Sequence, residues 1–390
     1  MTRTPAYCDY NAGAPVRPEA ADALAQALAL GGNPSSVHAI GRRAKAVIED
    51  ARERVAAAVG ARAENVVFTS GATEALHLAI ACLPPPAAPA MDANGFGLVE
   101  TPPPSLIISE AEHDAVWEHA KTRRPILARI GADGRVDLEV LQALLREAPK
   151  PVLLAVQLAN NETGVVQPIA RIAALARQYG ASLLVDAAQA LGRMPVDIAD
   201  LDATYLVLSS HKIGGPPGAG ALVLAPGAPF IASRFGGGQE RGRRPGTENM
   251  AAIAGFGVAA EIAARTQADE AKRLAALRDR FEAGLPGDAI VFGAPAPRLP
   301  NTSNFALPGL AAETAVIAMD LEGVCISSGA ACSSGKVRAS RVLAAMGVAL
   351  DLAKSALRVS FGWNSSEADV DVALAALHKI ASRRALVGAA

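Results

Sequence analysis

Short apolar runs alternate along the chain with longer stretches whose apolar residues recur every three or four positions. The runs include Asn65-Val-Val-Phe-Thr, Leu106-Ile-Ile-Ser, Pro151-Val-Leu-Leu-Ala-Val-Gln, Ser182-Leu-Leu-Val-Asp, Thr204-Tyr-Leu-Val-Leu-Ser and Ala221-Leu-Val-Leu. Near-continuous apolar runs of this length predict strands buried on both faces, as in parallel sheets. The spacing over residues 40–59, opened by Pro34 and two serines and closed by Gly60, predicts a helix. The alternation predicts an α/β fold with a mostly parallel sheet flanked by helices. From Asn249, two long alanine-rich helical patterns are predicted to run to Ala283, with a domain boundary near their junction. The expected division is a large domain over 15–262 and a smaller α+β domain built from 1–14 and 263–390.

Polar residues collect where the apolar runs stop, the edge at which open α/β sheets bind ligands. Asp186 ends one run, and Ser209, His211 and Lys212 end another, just before the glycine-proline loop Ile213-Gly-Gly-Pro-Pro-Gly-Ala-Gly. A desolvated lysine has a lowered pKa and forms a Schiff base with an aldehyde. A lone strand-end lysine more often snorkels to water, but Lys212 is accompanied by Asp186 and by Gln189 three residues after it. The strand ending at Thr69 turns through Ser70-Gly71 into a helix pattern starting at Ala72 and Thr73, which places free amides and a hydroxyl where an anion binds. An ordinary helix start with Glu74 in its first turn is the simpler alternative.

Composition narrows the class. The chain has 390 residues, 51% hydrophobic and 19% charged, with a formal net charge of -1, a profile that suggests neither a nucleic-acid patch nor a charged tail. No apolar run is long enough to span a bilayer, and the first ten residues lack a signal-peptide core, so a cytoplasmic enzyme is expected. Cys8, Cys82, Cys325 and Cys332 are spaced for neither a disulfide framework nor a zinc site. Cys325 lies in an apolar strand pattern, whereas Cys332 sits in the Gly-Ala-Ser loop Ser327-Ser-Gly-Ala-Ala-Cys-Ser-Ser, which suits exposure and reactivity.

The strand-Asp186 and strand-Ser-x-His-Lys212 pattern, together with the Cys332 loop, resembles the cysteine desulfurases, fold-type I pyridoxal-phosphate enzymes of the class V aminotransferase group. The similarity runs from Tyr7 to about Leu386, and the loop between Cys332 and Ser340 resembles the longer-loop branch. The resemblance implies pyridoxal 5'-phosphate bound covalently by Lys212, with Asp186 at its ring nitrogen, His113 stacked on its ring and Gln189 donating to its ring hydroxyl. Ser209, His211, Ala72 and Thr73 would bind its phosphate, joined by Thr247 from a neighbouring subunit in a homodimer. Asn161 would contact cofactor and substrate, and Arg358 would clamp the α-carboxylate of L-cysteine, an intramolecular salt bridge being the alternative for that arginine. Cys332 would accept sulfur as a persulfide, L-alanine would leave, and an iron-sulfur scaffold or other thiolation partner would take the sulfur. No metal site of its own is implied, Cys332 being at most a transient iron-sulfur ligand. A selenocysteine lyase or another class V aminotransferase-type enzyme is the alternative. Two departures from the family pattern stand out: a Pro-rich insertion over 84–104, whose composition resists helix and sheet, and Gly-Gly-Pro-Pro after Ile213 where many relatives carry a tyrosine and a lysine.

Overall fold

The computed structural model describes residues 5–84, 90–91, 98–99, 103–329 and 339–388. Its central sheet uses the predicted runs: β1 (Val66–Thr69), β2 (Ser105–Ser109), β3 (Ile126–Ala128), β4 (Val152–Gln157), β5 (Ala181–Asp186), β6 (Tyr205–Ser209) and β7 (Gly220–Leu224). They lie in the order β1-β7-β6-β5-β4-β2-β3. Every pairing is parallel except those of β7, which runs antiparallel to both β1 and β6. Successive side chains alternate between two buried faces. Phe68, Ile107, Leu154, Val185 and Leu208 join one apolar cluster, while Val67, Ile108, Leu153, Leu184 and Val207 join another. Both faces being covered explains why the strands read as continuous apolar runs rather than as alternating ones.

A second sheet follows in the chain: β8 (Ile290–Val291), β9 (Thr302–Ala306), β10 (Ser327–Ser328) and β11 (Ala356–Ser360), all antiparallel in the order β8-β9-β11-β10. It packs on its own core, to which Phe281, Phe305, Phe361 and Leu377 contribute. The N-terminal strand Ala6–Tyr7 pairs in parallel with Val324–Cys325, so Ala6 and Cys8 belong to this second core.

Two expectations are corrected. The region 249–283 holds one continuous helix, Met250–Ala283, rather than two. Its middle, Arg265-Thr-Gln-Ala-Asp-Glu-Ala-Lys-Arg, has neither proline nor glycine, so nothing stops the helix as its buried face passes from Phe256 and Ala260 in the first core to Leu274 and Phe281 in the second. In the insertion, two-residue strands at Ala90–Met91 and Leu98–Val99 pair antiparallel, despite a composition that resists sheet.

Candidate active site

A cavity of about 540 Å³ opens at the carboxyl ends of β4, β5 and β6. β5 delivers Asp186 as its last residue, and β6 delivers Ser209, after which a single 3-10 turn over Ser210–Lys212 carries His211 and Lys212 to the rim. The segments after β2 and β4 supply His113 and Asn161, and the start of the helix Ala72–Ala81 supplies Ala72 and Thr73. Arg358 reaches the same cavity from β11 of the second sheet. Gln189 completes the set on the loop after β5. Thus Ala72, Thr73, His113, Asn161, Asp186, Gln189, Ser209, His211, Lys212 and Arg358 all line one cavity, although they span most of the sequence. Thr247 is exposed and does not line the cavity of its own chain. Cys332 lies outside the described residues, as does the length of its loop.

Lys212 Nζ donates to two backbone carbonyls, those of Asn11 and, at 2.9 Å, Ala12. The carbonyls aim the amine into the cavity without a fixed counter-charge from either of those residues. Asp186 is buried, and burial raises its carboxyl above the ordinary range against the pull of the Ala188 amide, at 2.9 Å, and of the charges on His113 and Lys212. A carboxylate so placed favours a cationic N–H partner, which restores its ionised form. His113 Nδ1 accepts from the Ala115 amide at 3.0 Å, so Nε2 carries the proton of the neutral ring. Burial lowers the His113 pKa, opposed by Asp186 and Asp114. The same histidine caps the short helix Asp114–Trp117 while lining the cavity.

The opposite end of the cavity suits an anion. Gly71 precedes the helix Ala72–Ala81 and no side chain among the described residues caps it, so its first amides keep their donor capacity. Gly220 makes the close approach possible: a Cβ there would stand 2.6 Å from the Gly71 carbonyl carbon and 2.9 Å from the Leu208 oxygen. Ser209 and His211 stand nearby, and burial with the adjacent Lys212 brings the His211 pKa down to about 4. Glu74 turns its carboxylate back to the Ser70 amide at 2.6 Å and pairs with Arg234 and Arg244, tying the loop that bears Thr247 to the helix start.

Arg358 is 1% exposed at its side chain. Its Nη2 pairs with Asp9 Oδ1 at 2.6 Å, and Nη1 donates to the Asn161 carbonyl at 3.0 Å. That arginine therefore forms the internal salt bridge given as its alternative, and it also lines the cavity. Its Nε has no partner among the described residues. Of Asn160, Asn161 and Glu162, only Asn161 lines the cavity. Asn160 is a buried turn residue whose Oδ1 accepts from the amides of Glu162 and Thr163, and Glu162 accepts from Ser340, the cap of the helix Arg341–Ala345. Cys325 is half-buried, and burial together with Asp320 and Asp9 pushes its thiol pKa up. Sequence reading missed Asn11, Gln157, Glu112 and Asp9. Asn11 is buried and holds Lys212, Gln189 and Thr302 together. Glu112 binds the Gln157 amide at 2.7 Å and so ties the segment bearing His113 to the end of β4. A polar residue in the opening segment 7–15 was the available signal for Asn11, and the end of an apolar run that for Gln157; Asp9 and Glu112 carried none.

The donor set fits pyridoxal phosphate: an amine for its aldehyde, a buried carboxylate for its ring nitrogen, and an uncapped helix start with two hydroxyls for its phosphate. Comparisons with known proteins agree. The family described as Aminotransferase class-V matches residues 6–373. The chain is 35% identical over 383 residues to the cysteine desulfurase IscS of Dictyoglomus turgidum, covering 96% of this chain and 94% of that one. It is 36% identical over 400 residues to an IscS-like cysteine desulfurase of Mycobacterium tuberculosis, covering 99% of each. The solved structure of a NifS-like protein from Rickettsia africae superposes with a TM-score of 0.86 at 30% identity, over 97% of this chain and 99% of that one. The chain therefore belongs to the class-V aminotransferase family, among its cysteine desulfurases.

Proposed function

We propose that the chain is a pyridoxal-phosphate-dependent cysteine desulfurase that converts L-cysteine to L-alanine and leaves the sulfur on Cys332. The observation that carries this reading is one cavity lined together by an amine, Lys212, a buried carboxylate, Asp186, and a helix start that no side chain among the described residues caps. Lys212, Asp186, His113, Gln189, Ser209, His211, Ala72 and Thr73 hold the cofactor, which when bound supplies an electron sink for the substrate's α-carbon. Asp186 keeps a proton on the ring nitrogen. Lys212, steered by the Asn11 and Ala12 carbonyls, moves the α-proton. Arg358 and Asn161 orient the α-carboxylate, and His113 offers Nε2 for proton transfer. The Cys332 thiol attacks the substrate sulfur: the substrate C–S bond breaks, an S–S bond forms, and the product carbon gains hydrogen to become the methyl of alanine. The persulfide then passes to an iron-sulfur scaffold or other thiolation partner. We infer a cytoplasmic homodimer in which Thr247 serves the phosphate of the partner's site. No helix among the described residues is long and apolar enough to cross a membrane.

Alanine released from cysteine by the purified protein, sulfide released with it when a thiol reductant is added to reduce the persulfide, and loss of both with the yellow cofactor colour in Lys212→Ala, would support the assignment. Wild-type protein that stays colourless with added cofactor, or a Lys212→Ala variant that still turns over, would refute it. Much faster turnover of selenocysteine than of cysteine would move the assignment to a lyase.

A further inference from the structure

Behind the cavity lies an arginine that the reaction does not explain. Arg193 is 6% exposed and forms no ion pair among the described residues. Its fork is filled by oxygens of the site itself: Nη1 donates to the Gln189 carbonyl at 3.0 Å and to Gln189 Oε1, and Nη2 donates to the carbonyls of Tyr10 at 3.3 Å and Lys212 at 3.4 Å. Burying a guanidinium without a carboxylate is costly, and burial with the neighbouring Arg358 charge presses its pKa down to about 9, still protonated at neutral pH. A group kept at that cost invites a functional reason.

The reason lies in what the fork does to Gln189. A guanidinium only donates, so it accepts no other end of the amide than Oε1. The Asn11 carbonyl only accepts, and it takes the other end, Nε2, at 3.0 Å. The two partners fix one of the two amide orientations: Oε1 is taken up by Arg193, and Nε2 keeps a second hydrogen to offer on a residue that lines the cavity. We propose that Arg193 is a positioning residue that locks Gln189 as a hydrogen-bond donor toward the ring oxygen of the bound cofactor. This rests on the assignment of pyridoxal phosphate to the cavity. Without Arg193 only the Asn11 carbonyl holds the amide, and the orientation that presents Oε1 to an oxygen that is itself electron-rich becomes accessible. A donated hydrogen bond lowers the basicity of that oxygen, so the lock lowers the pH at which the cofactor-lysine linkage loses its proton.

The test is a pH titration of the visible absorbance of the holoenzyme, with cofactor affinity measured alongside. Arg193→Met is expected to raise the midpoint by about one pH unit, the worth of one hydrogen bond to a charged group. Gln189→Ala should raise it similarly, and Arg193→Met in the Gln189→Ala background should add almost nothing, because the arginine acts through the amide. If Arg193→Met does not fold, Arg193→Lys serves, since one ammonium cannot span Gln189 Oε1 and the Tyr10 and Lys212 carbonyls, and a partial rise is expected. Unchanged midpoints in the folded variants, or equal shifts with and without Gln189, would overturn the lock and leave a structural or purely electrostatic role. If the wild type shows no visible band, the cofactor assignment fails instead.

Discussion

Asp9→Asn tests how Arg358 is shared between the fold and the substrate. The wild-type pair is short at 2.6 Å, the arginine is 1% exposed and the aspartate 17%. Ser327 donates to the other carboxylate oxygen at 2.7 Å, so both oxygens are in use. Asparagine keeps the shape and one acceptor but removes the charge. Losing one partner of a buried ion pair costs about 3–5 kcal/mol. Because Arg358 retains the Asn161 carbonyl and Asp9 touches solvent, the low end applies, about 3 kcal/mol. Urea unfolding at fixed cofactor concentration measures this directly. The same change leaves the cavity one unit more positive beside the guanidinium, so a substrate carboxylate should replace the lost counter-charge. KM for cysteine is expected to fall about tenfold, equivalent to 1.4 kcal/mol, with kcat little changed. Part of the stability deficit should also vanish when cysteine is present, by linkage. A deficit below about 1 kcal/mol would show that the ion pair is not a structural support. A KM that rises with the deficit intact would show that Arg358 does not bind the carboxylate.

Cys325 and Cys332 should separate in function. Cys332→Ser should still bind cofactor yet release almost no sulfide, with persulfide found by mass spectrometry only on the wild-type Cys332 peptide. Cys325→Ser should retain turnover and lose about 1 kcal/mol, because the half-buried site leaves the hydroxyl partly solvated. Acid stability should depend on His119, whose pKa burial, then His77 and Arg123, bring down to about 4. The unfolded chain protonates near its ordinary 6.5, so it binds more protons than the folded chain between those values, and stability falls as pH drops through that window. His119→Phe keeps the edge contact with His77 and removes the titration, so its unfolding midpoint should vary less between pH 6.5 and 4 than that of the wild type.

The strands were legible because the buried faces of β4, β5 and β6 leave no room for polar residues until the carboxyl edge. There the first polar residues, Gln157, Asp186 and Ser209, all line the cavity. Lys212 and Asp186 could be picked from their positions at run ends, and Thr73 from the glycine turn before it. The long helix was misjudged because a change of partner core leaves the same signature as a break: a solvent-exposed polar stretch between two apolar faces. Asp9 and Arg193 were not legible because each is defined by a partner distant in sequence, Arg358 and Tyr10 respectively. Charge alone shows neither the burial nor the partner.

What those partners share is a dependence on backbone oxygen. Lys212 is aimed by the carbonyls of Asn11 and Ala12, Arg358 is held in part by that of Asn161, and Arg193 by those of Tyr10, Gln189 and Lys212. A carbonyl holds a cation by its dipole without neutralising it, so the positive charge remains available to an incoming anion. Carboxylates at the same positions would give stronger pairs and would compete with the phosphate and carboxylate groups that the cavity must admit. Asp9 is the exception, and it sits on the side of Arg358 where Ser327 draws its second oxygen toward β10. The site thus concentrates cationic side chains around a cavity in a chain whose net charge is only -1. It does so by leaving part of their compensation to peptide dipoles, which substitution of one side chain does not remove.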